Sequence, residues 1–158
     1  MKVARYLTVV IAAICVLACS AFAQQGTQNI YAQKLVDETM AKHPGLLVCA
    51  MHVTPPGKTD NVIIASNIAK IIGKKSDDDD MKVVNTSQPV LEPAKDKGRY
   101  EVLIALKDKS GNTIGALSTV FKYGDGDVEA NFLKRSTAIR NGLQKRIPSV
   151  ASLFKPAK

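Results

Sequence analysis

The segment RYEVLIALKDKSGNTIGALSTVFKY, residues 99–123, is the part of the chain that most clearly predicts its fold. Its first nine residues alternate between two sets of side chains, and a period of two residues is typical of a β-strand. The segment DKSGN then has the composition of a turn, and TIGALSTVFKY reads as a second long strand. The pattern predicts an antiparallel β-hairpin.

Two further strands are expected earlier in the chain. LLVCAMHV, residues 46–53, is a continuous apolar run, and NVIIAS, residues 61–66, is rich in β-branched residues. The turn residues TPPG at 54–57 separate them, which favours a second hairpin. Since these strands carry apolar residues on both faces, we expect both faces of the sheet to be covered.

Helical periodicity appears at both ends of the domain. From Asn29 onward Tyr31, Leu35 and Thr39 share one stripe, and His43-Pro44-Gly45 ends the pattern. Near the C-terminus, residues 125–127 are expected to break the chain and cap a last helix. Its apolar stripe is formed by Val128, Phe132, Ile139 and Leu143, and Pro148 follows its end.

The section Asn67–Lys97 is predicted to be a long excursion that leaves the sheet and returns, because it combines an acidic run with Pro89 and Pro93. The predicted fold is therefore α+β. An antiparallel sheet carries the N-terminal and C-terminal helices on one face and the excursion on the other.

Four adjacent aspartates, Asp77–Asp80, lie inside this excursion. Ser76 followed by Asp79 has the spacing of a capping box, and aspartates suit the first turn of a helix. We expect a short helical turn from Asp77 to Val83 on a solvated loop. A calcium site is the alternative, although calcium prefers oxygens spaced along a curved loop. Disorder, or a contact with a basic surface, is the remaining alternative.

The N-terminus has the features of a secretory signal. A short basic start, Met1–Arg5, precedes the apolar run Tyr6–Ala18 and the small-residue motif Ala21-Phe22-Ala23. We expect cleavage after Ala23, which leaves a single domain at 24–158 in the periplasm or outside the cell. Lipidation at Cys19 is the alternative. No second long apolar run follows, so the chain is not expected to span a membrane.

Composition narrows the class of function. The net charge is +8, which suggests an anionic partner, whereas few aromatics and no nucleic-acid motif argue against DNA or RNA. After cleavage only Cys49 remains, and its apolar surroundings predict a buried thiol. No nucleophile-elbow motif or metal-ligand spacing is present, so we expect no catalytic site, metal or cofactor.

Several segments resemble a single Cache domain, the extracytoplasmic relative of the PAS sensor fold. The resemblance spans roughly residues 30–154 and rests on HPGLLVCAMHV, VIIASNIAKIIGKKSDDD, YEVLIALKDKSGNTIGAL and the closing helix. It implies a small metabolite bound between the sheet and the long loop. Cache domains usually sit between two membrane helices, and the lack of a second apolar run predicts a stand-alone secreted binding module instead.

A ligand site is predicted from strand parity. Ala50 and Ala116 leave room on a sheet face, and polar residues flank that room. The residues expected to border one pocket under Asn67–Lys97 are His52, Arg99, Tyr100 and Ser118. Arg99 could hold the carboxylate of an anionic metabolite in a forked geometry. The alternative is that these positions lie on opposite faces and only pack.

A second function stays open beside metabolite binding. The chain could be a non-enzymatic interaction protein that docks its basic C-terminal helix on a protein partner or an anionic surface.

Overall fold

A computed structural model describes residues 29–157. Its sheet has five antiparallel strands, β1 (Leu46–Val53), β2 (Val62–Ser66), β3 (Val90–Ala94), β4 (Arg99–Lys107) and β5 (Thr113–Lys122), in the order β2-β1-β5-β4-β3. The α-helices are α1 (Tyr31–Lys42), α2 (Asp78–Thr86), α3 (Glu129–Gln144) and α4 (Val150–Leu153). Short 3-10 turns occupy Ala69–Ile71 and Lys95–Lys97. The fold is α+β, as predicted.

The predictions made for the signal peptide and for Cys19 lie outside the described residues. Among residues 29–157, no helix combines the length and apolar character needed to cross a membrane.

The central hairpin forms as predicted, with β4 and β5 paired from Arg99↔Lys122 to Lys107↔Thr113. Asp108 organises its turn, because one carboxylate oxygen accepts the backbone N–H groups of Ser110 (2.9 Å) and Asn112 (3.0 Å). The Asn112 side chain, followed by these backbone donors, lowers the pKa of Asp108 against the opposing effect of burial. Gly111 takes a positive φ of 90°, which suits glycine.

The main core lies between the sheet and helices α1 and α3. Alternate residues of β4 enter it, and Tyr100 is 2% exposed with its ring stacked on Phe132 at 4.6 Å between centroids. Arg135 adds a cation–π contact, since its guanidinium carbon lies 4.3 Å from the ring centroid of Phe121. The prediction that both terminal helices cover one face is confirmed.

The excursion covers the opposite face through α2. Val83 is fully buried against Leu103, Ala105 and Ala116 of the two central strands. The excursion is also more regular than predicted, because it contains the edge strand β3. The sequence did not predict this strand because proline usually disfavours strands. Pro93 is tolerated here because β3 is an edge strand, and one of its sides has no neighbouring strand to bond.

Two helix starts differ from the prediction. The cap of α2 is Asp77, whose side chain accepts the N–H of Asp80 while Asp80 accepts the N–H of Asp77, so the capping box lies one residue later than expected. Helix α3 begins at Glu129, and Val128 is 60% exposed outside its buried stripe. Asp127 does not cap α3, because its carboxylate accepts the N–H of Gly124 instead.

Candidate functional site

The sheet face beneath α2 carries two of the residues predicted for the site. Ala50 pairs with Ser118 and His52 pairs with Ala116 across β1 and β5. Residues that are paired or two apart share a face, so the side chains of His52 and Ser118 both point toward α2.

His52 is buried and joined to the start of α2. Its Nδ1 lies 2.9 Å from Asp80 Oδ2 and 3.0 Å from Ser76 Oγ. Ser76 Oγ donates its hydrogen to Asn61 Oδ1 at 2.6 Å, and Asn61 Nδ2 donates to Thr54 Oγ1 at 3.2 Å. Because the Ser76 hydroxyl donates its hydrogen to Asn61, its oxygen can only accept a hydrogen bond from His52. Nδ1 of His52 therefore carries a proton.

This network corrects the interpretation of the aspartate run as wholly solvated. Asp78 and Asp79 are exposed, but Asp80 is 5% exposed and bonded to His52. The residue at the N3 position of a capping box must turn back toward the helix start, and here that direction faces the sheet. Within residues 29–157, no group of three or more histidine, cysteine, aspartate or glutamate side chains is arranged to hold a metal ion.

Ser118 belongs to a neighbouring polar group on the same face. Its Oγ donates to Glu101 Oε1 at 2.5 Å, and Glu101 pairs across the strands with Glu92. Partial burial raises the pKa of Glu92, and the charges of Glu101, Asp79, Asp77 and Asp80 raise it further. The α2 side of the sheet is therefore acidic, and neither Glu92 nor Glu101 was predicted from the sequence.

Tyr100 does not border this face, so its predicted place in a shared pocket is wrong. Neighbouring residues of a strand point to opposite faces, and Tyr100 points into the helix layer while Glu101 points toward α2. The Tyr100 hydroxyl lies 3.5 Å from Glu129 Oε2. Burial first, and then the charge of Glu129, raise the pKa of Tyr100.

Arg99 cannot share a small pocket with His52 either. Arg99 is exposed at the first position of β4, where it pairs with Ala94 and Lys122. The β4 residue aligned with His52 through Ala116 is Ala105, six residues further on. At about 3.3 Å per residue, the two positions are roughly 20 Å apart along the strands.

A depression of about 340 Å³ borders the end of α2. It extends from Ser87 and Pro89 across Ala105 to Leu133 and Arg140 of α3. His52, Arg99, Tyr100 and Ser118 are not among the residues that line it. Whether any of these four residues binds a ligand stays a prediction.

Comparison with solved structures defines the class of fold. The second GAF domain of DevS from Mycobacterium smegmatis aligns with a TM-score of 0.51 at 14% identity, over 71% of this chain and 86% of that chain. A double mutant of the PobR transcription factor inducer binding domain from Acinetobacter, in complex with 3-hydroxy benzoic acid, aligns with a TM-score of 0.44 at 12% identity, over 73% and 97%. No family model and no curated protein matches. The alignment with the GAF domain shows that the chain has a GAF- and PAS-like α+β fold.

Proposed function

We propose that this protein is a stand-alone, secreted or periplasmic small-molecule-binding module of the sensor type, related to Cache domains. The observation that carries the proposal is the sheet face under α2. Small side chains at Ala50, Ala105 and Ala116 lie there beside the buried polar residues His52 and Ser118. An apolar face with a few placed polar groups is the usual composition of a small-molecule site.

The charge of this face favours one class of ligand. Asp80 and Glu101 lie on it, and Glu92 lies beside Glu101 on the edge strand. Buried polar groups that lose their internal partners must find new ones in the ligand. The ligand of this face is therefore neutral or positively charged and offers hydrogen-bond donors. The anionic metabolite expected from Arg99 finds no support here.

The geometry around His52 supports a binding role over a catalytic one. In a serine hydrolase triad the aspartate and the serine bond to different nitrogens of the histidine ring. Here Asp80 and Ser76 both approach Nδ1, so His52 does not lie between an orienting carboxylate and a serine nucleophile.

A thermal-shift screen against sugars, amino acids, amines, organic acids and divalent cations tests the proposal. A ligand of the folded state raises the melting temperature by mass action. We expect a neutral or cationic compound to do so in the wild type and in the control Ser110→Ala, and to lose the effect in Ser118→Ala. No shift with any compound, or a shift that survives Ser118→Ala, would refute the site.

Export is tested separately. Protein secreted by the native host should begin at Gln24, as shown by N-terminal sequencing and intact mass. A diacylated Cys19 would replace this proposal with the lipoprotein alternative.

A second candidate function is docking through the C-terminal helical segment, residues 129–157. This segment carries six lysine or arginine side chains and one carboxylate, whereas residues 29–128 carry thirteen charges of each sign. The whole net charge of the described residues therefore lies in the segment. Such a concentration steers anionic partners. Salt-sensitive binding to a polyanion such as heparin, lost when Lys134, Arg135 and Arg140 are replaced by glutamine, would support this candidate.

A further inference from the structure

A groove of about 530 Å³ lies where the start of α1 meets α4 and the residues around it. Tyr31, Pro148 and Pro156 form an apolar part of its wall, and three cationic side chains also line it: Lys34, Arg146 and Lys155. Its volume falls within the range of about 300–1,000 Å³ that is usual for small-molecule pockets. The groove is remote from the face under α2.

The walls of the groove are fixed by hydrogen bonds. The N–H of Tyr31 donates to the carbonyl of Lys155 at 2.8 Å, and the N–H of Ala157 donates to the carbonyl of Asn29 at 2.8 Å. The Tyr31 hydroxyl donates to the carbonyl of Arg146 at 3.1 Å. A site whose walls are already held in place loses little entropy when it is filled.

One carboxylate already contacts the cations of the groove. Glu38 Oε2 lies 2.6 Å from Arg146 Nη2, and Glu38 Oε1 lies 3.9 Å from Lys34 Nζ. The hydrogen bond from Arg146 is the largest influence on Glu38 and lowers its pKa, with burial opposing and the charges of Arg146, Lys34 and Lys42 adding to it. Glu38 offsets the charge of Arg146, and Lys155 adds a positive charge to the wall of the groove that complements an anion.

We propose that this groove binds a soluble organic anion that consists of a carboxylate on an apolar body. The carboxylate approaches Lys155 and Arg146, and the apolar body lies against Tyr31, Pro148 and Pro156. A free molecule fits better than a membrane surface, because no protruding large apolar side chain of residues 29–157 lines the groove for insertion into lipid. The large apolar side chains that protrude among residues 29–157 are Leu47, Leu91 and Val128, and none of them lines the groove. This inference does not depend on the ligand proposed for the α2 face.

The test compares three eight-carbon probes, octanoate, octylammonium and octanol, by isothermal titration and by amide chemical shifts in NMR spectra. Octanoate, kept below its micelle-forming concentration, should bind most tightly and shift the amides of Lys34, Ser152 and Lys155. Octanol should bind more weakly because it lacks the charge, and octylammonium should be repelled. Equal binding of octanoate and octylammonium, or shifts elsewhere on the protein, would overturn the proposal.

Two substitutions should act in opposite directions. Lys155→Gln removes a cation and should weaken octanoate binding about two- to fivefold, as expected for a partly exposed charge pair. Glu38→Gln removes the internal competitor and should strengthen binding by a similar factor. The matched control, Lys97→Gln in the 3-10 turn between β3 and β4, does not line the groove and should leave the affinity unchanged. Weaker binding in a folded Glu38→Gln variant would contradict the competition between the two carboxylates.

Vesicles separate the free anion from a lipid surface. Phosphatidylglycerol vesicles should not bind through this groove, so the wild type and Lys155→Gln should co-sediment with them to the same extent. Co-sedimentation that Lys155→Gln abolishes, together with no octanoate binding, would assign the groove to a membrane and refute the soluble ligand.

Discussion

Replacing Asp80 by alanine should destabilise the protein far more than replacing its neighbour Asp79. Asp80 accepts a buried hydrogen bond from His52 Nδ1 at 2.9 Å and the N–H of Asp77 at 3.1 Å. A hydrogen bond to a charged group contributes about 1.5–3 kcal/mol, and a helix cap contributes about 1 kcal/mol. Removing one of the four aspartates also relieves repulsion among the others, which stabilises the fold by a few tenths of a kcal/mol. The expected net loss is therefore about 3 kcal/mol.

Asp79 provides the matched control because it lies in the same helical turn and is exposed. Its favourable interaction with the helix dipole, at most about 1 kcal/mol, is offset by repulsion from its neighbours. Asp79→Ala should change the free energy of unfolding by less than about 0.5 kcal/mol.

Urea unfolding followed by far-ultraviolet circular dichroism measures both variants. For a domain of this size, a loss of about 3 kcal/mol corresponds to a fall of about 10 °C in melting temperature. Hydrogen exchange of the α2 amides should accelerate in Asp80→Ala and stay unchanged in Asp79→Ala. If the two variants lose the same stability, the buried contact between α2 and His52 does not anchor the helix and the reasoning fails.

Three further predictions concern other parts of the molecule. Gly115→Ala should be strongly destabilising because the new Cβ would overlap the carbonyl oxygen of His52. Gly142→Ala, with open space around it in α3, should instead stabilise by up to about 1 kcal/mol. Urea titration measures both variants, and a Gly142→Ala variant less stable than Gly115→Ala would refute the reasoning. Glu92→Gln should raise stability at neutral pH, because a carboxyl group whose folded-state pKa is raised opposes folding when it is ionised. This gain in stability should vanish as the pH falls below the unfolded-state pKa of the carboxyl group. A gain that does not depend on pH would show that the ionisation of Glu92 is not its cause. Cys49, whose pKa burial raises to about 12, should resist iodoacetamide at pH 8 in the folded protein and react in urea, as mass spectrometry would show; rapid labelling of the folded state would disprove its burial.

Local patterns in the sequence determined most of the architecture. The alternation in residues 99–123 specifies its hairpin because the period of two belongs to each strand by itself. The stripe of Tyr31, Leu35 and Thr39 specifies α1 for the same local reason, and the apolar neighbours of Cys49 specify its burial. Each of these features depends on residues within a few positions of one another.

Which side chains from distant segments contact one another depends on the packing of the folded chain. The pairing of His52 with Asp80 joins residues 28 positions apart, and it depends on how α2 docks on the sheet. Strand register separates Arg99 from His52, and it forms only when β4, β5 and β1 align. The edge strand β3 exists because β4 offers it a partner, although Pro93 disfavours a strand locally. Contacts between distant segments have no period in the sequence, so strand parity predicted His52 and Ser118 on one face, but the contributions of Asp80, Glu92 and Glu101 to it became visible only in the folded chain.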